Sequence, residues 1–571
     1  RRPRTQRYQP RVASSRVIST ESDDRPAAVR DRVDGLADAV TLAADAEAFV
    51  PVEEPFTGET VGEVPACTAR DVDVAVERAR VAQERRAGRS IEERADVIRD
   101  YHDRVLDERA ALLDLVQLQT GKARRHAHEE LLDVAANCRH YANRAVEYLA
   151  PERRAGALPL VTRTETRRHP VGVVGLISPW NYPLNLAVSD AIPALLAGNA
   201  VVFKPDEHTP YAVLRAVELL TEAGLPADLC QVVTGHGDAV GSALIDRVDY
   251  VGFTGSTATG RRVAARAGRN LVDCSLELGG KNPALVLPGA DIDAAAEGLV
   301  HGCLANAGQL CLSIERIYVH EAVYEPFLDA FVDAVSAVDL GAGYGWDVEL
   351  GSLISAAHLE AVESHVADAR DRGATVHTGG SPRPDVAPYA FEPTVLTGVT
   401  DDMAVGCEET FGPVVSVHAV DSVDEAVARA NDSDYGLNAR LGRERGARDR
   451  RGRTDRVWNG QRRRPLRRRV RLPRRPDGRH EGFGDRPPPR CRGDTQVHRG
   501  PDGRRTARPA DAARTGVLPA LRRRSHPDDA AVEATRRMAV TVGPCDRYRA
   551  ATPPSAARTE GLRVRRVYHL Q

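Results

Sequence analysis

The sequence predicts an α/β fold of two domains in tandem, entered from an N-terminal helical arm and followed by a disordered arginine-rich tail. Three observations support this prediction: the length, an alternation of apolar strands with helices, and a change of composition near residue 440. A chain of 571 residues exceeds one ordinary hydrophobic core, so two or more domains are expected. From residue 171 onward the alternation indicates parallel sheets covered on both faces.

The elements before residue 171 are mainly helical. Residues 1–45 are polar and poor in large apolar groups, so we expect them to be disordered. VEEPFTGETVGEVP predicts a hairpin. Apolar residues then recur at helical spacing in three segments: DVDVAVERARVAQERR, IEERADVIRDYHDRVLDERAALLDLVQLQT and HEELLDVAANCRHYANRAVEYLA.

Two strand–helix sets follow and predict one domain over residues 46–275, including the helical arm, and a second over residues 276–440. The predicted strands of the first set are VGVVGLIS, NAVVFKP, CQVVTG and DYVGFTG. Those of the second set are NPALVL, ERIYVHEA, TVHTGG, EPTVLTGV and VVSVHAV. Helical patterns such as AVLRAVELLTEAG and YEPFLDAFVDAVSAV separate them.

The net charge of −2 conceals a division of the chain. Residues 441–571 contain 36 arginines, no lysine and 14 acidic residues, a net charge of +22, whereas the first 440 residues carry −24. An acidic, lysine-poor body of this kind is typical of a halophilic protein, because a dense carboxylate surface stays hydrated and its self-repulsion is screened at high salt. Only Lys122, Lys204 and Lys281 are lysines.

Several classes of protein are disfavoured by the composition. No apolar run is long enough to cross a bilayer, and the basic first residues lead into no apolar signal segment. The nine cysteines are scattered without a C-x-x-C pair, which argues against a disulfide framework and against a zinc site. We therefore expect a cytoplasmic protein that binds neither a membrane nor a structural metal.

Two stretches suggest chemistry at a carbonyl carbon. ANAGQLCLS, residues 305–313, places Cys311 just beyond a predicted helix, as either a nucleophile or a packed structural cysteine. PWNYP fixes Asn181 between prolines at the end of a predicted strand. Its amide could donate to an oxyanion or could simply close a turn.

Other polar residues follow predicted strands. NAVVFKPDEHTP ends a strand with Lys204 and Glu207, which suit ribose hydroxyls or a phosphate, or else form a salt-bridged loop. FTGSTATG places Gly255 and Ser256 before a helix, where a pyrophosphate is favoured, although the spacing is not G-x-G-x-x-G.

Two carboxylates complete the candidate residues. Glu277 in SLELGGKNP precedes two glycines and could activate a water or act as a structural acid. Glu409 and Phe411 in EETFGPV offer another carboxylate and an aromatic lid.

Six motifs, taken in chain order, closely resemble those of the NAD(P)-dependent aldehyde dehydrogenase superfamily: PWNYP, KPDEHTP, FTGSTATG, LELGGK, NAGQLC and EETFGP. The resemblance covers about residues 50–440 and is greatest to the succinate-semialdehyde dehydrogenase branch. It implies a Rossmann-type cofactor domain within residues 46–275 and a catalytic domain, incomplete at its end, in residues 276–440.

The resemblance also implies roles for individual residues. Cys311 would be the nucleophile, Asn181 and the Cys311 N–H would bind the oxyanion, and Glu277 would activate the water that hydrolyses the thioester. Cys303 is expected to be a packed helix residue. Cofactor contacts are implied for seven residues: Trp180, Lys204, Glu207, Gly255, Ser256, Glu409 and Phe411.

The implied substrate is a small semialdehyde such as succinate semialdehyde, with betaine aldehyde or another aliphatic aldehyde as alternatives. NAD is favoured over NADP, because a carboxylate at Glu207 should repel a 2′-phosphate. The superfamily also implies a homodimer or homotetramer.

The tail departs from the family after SDYGLNA, where the Arg-rich residues 441–571 begin. A nucleic-acid-binding tail is one interpretation, but interleaved aromatics and lysines are almost absent. A reading-frame shift explains the composition better. With codons CGG CAT GAA GGA TTC GGG GAT CGG for RHEGFGDR, reading one base later gives Gly-Met-Lys-Asp-Ser-Gly-Ile, which resembles the missing loop of the family. An inactive or unstable remnant is therefore the alternative to an active enzyme.

Overall fold

The computed structural model describes residues 29–30, 33, 35–86, 88–154 and 162–442. The predictions made for residues 1–28 and for the tail after residue 442 lie outside the described residues. Within them, the predicted α/β class is confirmed, with parallel strands and intervening helices.

The helices are α1 Ala69–Arg86, α2 Ile91–Asp107, α3 Arg109–Thr120, α4 Arg124–Leu149, α5 Pro183–Leu196, α6 Pro210–Glu222, α7 Ser242–Ile245, α8 Thr257–Arg269, α9 Ile292–Leu304, α10 Tyr324–Ser336, α11 Ala356–Asp371, α12 Ala404–Cys407 and α13 Val423–Asn431. The strands are β1 Phe49–Glu54, β2 Glu59–Pro65, β3 Glu152–Arg154, β4 Thr164–Thr166, β5 Val173–Ile177, β6 Ala200–Lys204, β7 Cys230–Val232, β8 Tyr250–Thr254, β9 Asp273–Glu277, β10 Asn282–Val286, β11 Ile314–His320, β12 Thr375–Thr378, β13 Thr394–Thr397, β14 Val414–Val420 and β15 Arg440–Gly442.

The first sheet has five parallel strands in the order β7-β6-β5-β8-β9. Every residue of β6 is buried, as expected for a strand with helices on both faces. The helical arm α1–α4 packs into the same hydrophobic core as this sheet. The edge strand β9 is only partly buried, which leaves its last residue, Glu277, exposed at the rim.

The second sheet has the order β12-β13-β14-β11-β10-β15, and it is parallel except for the antiparallel β12–β13 pair. Its edge strand β15 is short and pairs Arg440 with Ala284 of β10. The predicted domain boundary between residues 275 and 276 falls inside β9, and the chain changes sheet between Glu277 and Asn282.

The long helical segment predicted for residues 91–120 is divided into α2 and α3 in the structure. A capping box between Ser90 and Glu93 starts α2, and Glu108 interrupts the helix between the two segments. Gly121 ends α3 in the left-handed region with φ 64°. A Cβ at Gly121 would lie 2.2 Å from the Ser352 hydroxyl, so this chain reversal depends on glycine.

Candidate active site

The predicted site residues lie along one edge of the first sheet. Ile177 at the end of β5 is in register with Lys204 at the end of β6, and Thr254 at the end of β8 is in register with Glu277. Because all these strands are parallel, their carboxyl ends meet at one rim, where α/β proteins bind ligands. Asn181 follows β5 across a short turn at the same rim.

The loop before Cys311 has an unusual backbone. After α9 ends, Asn306, Ala307 and Gly308 follow one another in the left-handed region, with φ of 53°, 55° and 73°. Such conformations cost on the order of 1–3 kcal/mol for each residue other than glycine. A Cβ at Gly308 would lie 2.0 Å from the carbonyl oxygen of Gly412, so only glycine fits there. Surrounding contacts must therefore maintain this loop.

Buried amide groups provide those contacts. The Asn306 Nδ2 donates to the carbonyl oxygens of Asn181 at 3.0 Å and of Gln309 at 3.1 Å. The Gln309 Nε2 donates back to the Asn306 carbonyl at 3.0 Å, and its Oε1 accepts from the Ile354 N–H at 3.0 Å. A network with this many buried partners restrains the loop that presents Cys311.

Asn181 is joined directly to that loop. Its Nδ2 donates to the Gln309 carbonyl at 3.1 Å, which leaves the second hydrogen of the amide for another acceptor. Its own carbonyl accepts from the Nζ of Lys122 at 2.6 Å. Lys122 is fully buried with Glu130 at 3.0 Å, and Glu130 also accepts from the Asn185 N–H. The ion pair thereby anchors the turn that carries the amide.

The two cysteines of this region differ in environment. Cys311 is partly exposed in the turn before β11, whereas Cys303 is buried within α9, as the sequence predicted. Burial, and then the charges of Glu409 and Glu277, raise the pKa of the Cys311 thiol to about 12. The N–H groups of Cys311 and Leu312 act in the opposite direction. At neutral pH the thiol is therefore protonated until a base or a bound ligand changes this balance.

Glu277 is the last residue of β9 in the first sheet, whereas Glu409 lies in the turn before β14 of the second sheet. The Glu277 carbonyl accepts from the Gly255 N–H at 3.0 Å, which ties the ends of β8 and β9 together. The Glu409 Oε1 accepts from the Gly280 N–H at 2.8 Å. A Cβ at Gly279 would lie 2.0 Å from the Glu409 Oε2, so this approach requires glycine. Burial raises the pKa of Glu409 to about 7.

Aromatic rings link the turn of Asn181 to that of Glu409. The rings of Trp180 and Phe411 meet edge to face with centroids 5.5 Å apart. Phe411 has φ 53°, and its carbonyl lies 2.8 Å from the His358 Nε2. Trp180 also contacts the His358 ring at 5.5 Å. Trp180 therefore restrains the Phe411 ring, and His358 restrains its backbone carbonyl.

The remaining predicted residues lie at the other end of the rim. Lys204 is buried, and its Nζ lies 3.2 Å from the Glu207 Oε2. The Glu207 Oε1 lies 3.5 Å from the His236 Nδ1. The Ser256 hydroxyl caps α8 by accepting from the Thr259 N–H at 3.2 Å, so the positive end of a 13-residue helix faces this region.

These residues fit a dinucleotide. The Ser178 hydroxyl, at the end of β5, is buried without a hydrogen-bond partner, and the Ser178 N–H donates to the Lys204 carbonyl at 3.2 Å. Buried hydroxyls normally have partners, so this one is suited to a ligand hydroxyl or phosphate. The helix N-terminus of α8 suits a pyrophosphate. Among the described residues no group of three or more His, Cys, Asp or Glu side chains could hold a metal ion.

Sequence reasoning missed the residues behind the site. Lys122, Lys281, Glu315 and Asn306 are all buried and hold site segments in place. Each of the three lysines pairs with a glutamate. Because lysine is so rare in this chain, these positions could have been identified from the sequence as special. Glu315 lies next to Arg316 in the buried strand β11, and no local signal identified it.

Residues 42–446 match the aldehyde dehydrogenase family. The chain belongs to that family. A relative from Mycolicibacterium smegmatis, named “Putative succinate-semialdehyde dehydrogenase (NADP+)”, is 52% identical over 395 residues, which are 69% of this chain and 76% of the relative. The peroxisomal aminoaldehyde dehydrogenase 2 of Pisum sativum is 37% identical over 400 residues, covering 68% and 79% of the two chains.

Solved structures of this family are similar. The betaine aldehyde dehydrogenase of Staphylococcus aureus in complex with NAD+ superposes with a TM-score of 0.69 and 32% identity, covering 73% of this chain and 85% of that one. An NAD+ complex of the Bacillus cereus aldehyde dehydrogenase gives 0.67 and 35%, covering 70% and 83%. The predicted family and fold are confirmed, and this aldehyde dehydrogenase is an NAD(P)-dependent oxidoreductase.

Proposed function

We propose that this aldehyde dehydrogenase oxidises a small semialdehyde, such as succinate semialdehyde, to the carboxylic acid through a thioester on Cys311. The observation that supports this most directly is the hydrogen bond between the Asn181 amide and the Gln309 carbonyl, because it places an amide donor beside the loop of a partly exposed thiol. The 52% identity to a relative named for succinate semialdehyde supports the substrate.

The chain's own residues supply the covalent chemistry. The partly exposed Cys311 thiol first gives up its proton to a water, and the resulting thiolate adds to the aldehyde carbon. The oxyanion then accepts hydrogen bonds from the Asn181 amide and the Cys311 N–H. A nicotinamide cofactor, held through its ribose by Glu409 and Phe411, would supply the hydride acceptor, so that loss of hydride from the adduct would leave a thioester on Cys311. Glu277 removes a proton from a water that attacks this thioester, the C–S bond breaks, and the acid is released with the thiol restored.

We favour NAD as the cofactor. Glu207 at the end of β6 would accept from ribose hydroxyls and repel a 2′-phosphate. NADP is the alternative, because relatives are named for it and because Lys204 at 3.2 Å and His236 at 3.5 Å can offset the charge of Glu207. Glu409 and Phe411 would contact the nicotinamide ribose.

A cationic aldehyde is a second candidate substrate, favoured by the charges beside Asn181. Burial raises the pKa of the Tyr182 phenol, and the carboxylates of Glu129, Glu130 and Asp133 raise it further. Lys122 pairs with Glu130 at 3.0 Å, and burial raises the pKa of Glu129 to about 7 although the charges of Lys122 and Arg125 lower it. A negative field of this kind would attract betaine aldehyde or an aminoaldehyde and oppose a second carboxylate.

An aldehyde panel separates these candidates. Succinate semialdehyde, betaine aldehyde, 4-aminobutanal and hexanal are assayed at molar KCl with NAD and with NADP, following absorbance at 340 nm. We expect the highest kcat/KM with succinate semialdehyde and NAD. A preference for the cationic aldehydes would replace the semialdehyde proposal, and a preference for hexanal would remove both. Oxidation of none of them, either by the chain as given or by a version with its reading frame restored near residue 440, would contradict the proposed function.

We also propose that a reading-frame shift follows residue 440. The family match ends at residue 446, and the edge strand β15 has three residues with Leu441 exposed. The Asn438 N–H donates to the Asn282 Oδ1 at 2.9 Å and its Nδ2 to the Leu312 carbonyl at 3.0 Å, so the chain is still joined to the second sheet at this point. A +22 segment offers little apolar surface to extend the sheet.

Restoring the frame near residue 440 should recover activity together with a cytoplasmic homodimer or homotetramer. Resequencing the gene across this point and comparing both versions by size-exclusion chromatography and activity tests the proposal. If resequencing confirms the present frame and the 571-residue chain is active and oligomeric, the frame-shift proposal is wrong. The same result would also exclude an inactive remnant, which is the alternative to an active enzyme.

A further inference from the structure

A buried ion pair lies behind the cofactor-facing residues of the second sheet. Lys281 is 2% exposed and Glu315, on β11, is 3% exposed, and the two side chains are joined through the Lys281 Nζ. Removing two charges from water costs several kcal/mol per ion, so such a pair adds little stability by itself. Its other contacts indicate what it does.

Glu315 binds the backbone of the turn that carries Glu409 and Phe411. Its Oε2 accepts from the Thr410 N–H and its Oε1 from the Phe411 N–H, both at 3.0 Å. The Lys281 Nζ also lies 3.4 Å from the Thr410 hydroxyl. Because Phe411 has φ 53°, this two-pronged contact holds a residue in a conformation that it rarely adopts.

The turn that contains Gly280 and Lys281 also donates a hydrogen bond to the turn that carries Glu409. Gly280, next to Lys281, donates its N–H to the Glu409 carboxylate at 2.8 Å. The Lys281 carbonyl accepts from the Arg316 guanidinium at 3.0 and 2.6 Å, which fixes the backbone of this turn. The turn that follows Glu277 is therefore cross-linked to the turn of Glu409 by two separate contacts.

We propose that Lys281 and Glu315 are positioning residues that hold the Glu409–Phe411 turn in place for the nicotinamide ribose, in fixed relation to Glu277. This inference rests on the proposed function for the roles of Glu277, Glu409 and Phe411. Neither Lys281 nor Glu315 needs to touch the cofactor, because both act through the backbone of the turn. Cofactor affinity is the property that they control.

The test uses Lys281→Met and Glu315→Gln in the full chain with its reading frame restored near residue 440. NADH affinity is measured by quenching of tryptophan fluorescence, since Trp180 packs on Phe411, and cofactor and aldehyde KM are measured separately. We expect Glu315→Gln to raise the Kd for NADH and the cofactor KM about tenfold, because one of the two carboxylate oxygens that accept from the Thr410 and Phe411 N–H groups becomes an NH2 donor. Lys281→Met should raise them about threefold. The KM for the aldehyde should change less than twofold.

A pH series distinguishes positioning from general stabilisation. The charge of Glu315 raises the pKa of Glu409 and that of Lys281 lowers it, while Cys311 and Tyr435 also face Glu409. Cofactor affinity should fall below the pKa of Glu409, as its carboxylate becomes protonated. The pH below which NADH affinity falls should be lower in Glu315→Gln and higher in Lys281→Met than in the unsubstituted protein.

Asp249→Asn is the matched control. Asp249 pairs with Arg80 at 2.7 Å and accepts from the Val173 N–H at 2.8 Å, at the start of β5 and so at the opposite edge of its sheet from the site. It should lower the melting temperature without changing the Kd for NADH. If the Lys281 and Glu315 variants behave in the same way, their role is structural and the proposal is wrong. NADH binding needs no aldehyde turnover, so a frame-restored chain without these substitutions that binds NADH but oxidises no aldehyde would overturn the proposed function alone.

Discussion

In the protein with its reading frame restored, replacing Cys311 with alanine should abolish aldehyde oxidation, with a loss of kcat on the order of 10⁴-fold or more. Without the thiol no thioester can form, and the chain's nearest other cysteine in sequence, Cys303, is buried within α9. The affinity for NADH should change less than threefold, because the contacts proposed for the cofactor lie on other residues. Activity is followed by absorbance at 340 nm and binding by fluorescence.

Cys303→Ala is the matched control for this experiment. It removes a buried sulfur from the second core and should lower stability by about 1 kcal/mol, with kcat within twofold of the wild type. Alkylation by iodoacetamide should inactivate this variant as fast as the wild type. An inactive Cys303 variant together with normal turnover by Cys311→Ala would reverse the assignment.

Glu277→Gln should separate the two halves of the reaction. The thioester should still form and release one equivalent of reduced cofactor, after which deacylation should slow by a factor of about 100 or more, because no carboxylate remains to activate water. The charge of Glu277 raises the pKa of the Cys311 thiol. Its removal should therefore move the pH dependence of thiol alkylation to lower pH.

Rapid-mixing absorbance measures this burst, and mass spectrometry of the stalled enzyme detects the acyl group on Cys311. Glu363→Gln, at an exposed position on α11, is the control and should turn over normally. Loss of the burst itself would show that Glu277 acts before hydride transfer or only supports the fold. Steady-state turnover at the wild-type rate would remove it from the mechanism.

The strands that the sequence predicted well are those buried on both faces, such as β5, β6 and β10. Their apolar runs are continuous but too short for a helix, which identifies them as buried strands. The edge strand β9 was not predicted, because its half-buried sequence DCSLE has no clear apolar pattern. Glu108 divides the helical segment 91–120, which periodicity alone does not show.

In the site, motif residues such as Cys311 and Asn181 could be found from local sequence, since glycines, prolines and strand ends mark them. The residues behind them could not. Asn306 and Glu315 act through hydrogen bonds to partners distant in sequence, and no local pattern encodes such a contact. Their side chains matter only once the two sheets have packed together.

The left-handed loop before Cys311 also constrains the order of folding. Its hydrogen bonds to Asn181 join residues 125 and 128 positions apart in sequence, and the Gly280–Glu409 bond spans 129. Contacts of this range form late, because the chain entropy of closing the intervening loops must be lost before they contribute. A partly folded or partly synthesised chain therefore contains the thiol but lacks the Asn181 amide beside its loop. The contacts proposed for the oxyanion thus form only when both sheets are in place, and a thiol without them cannot complete the proposed reaction.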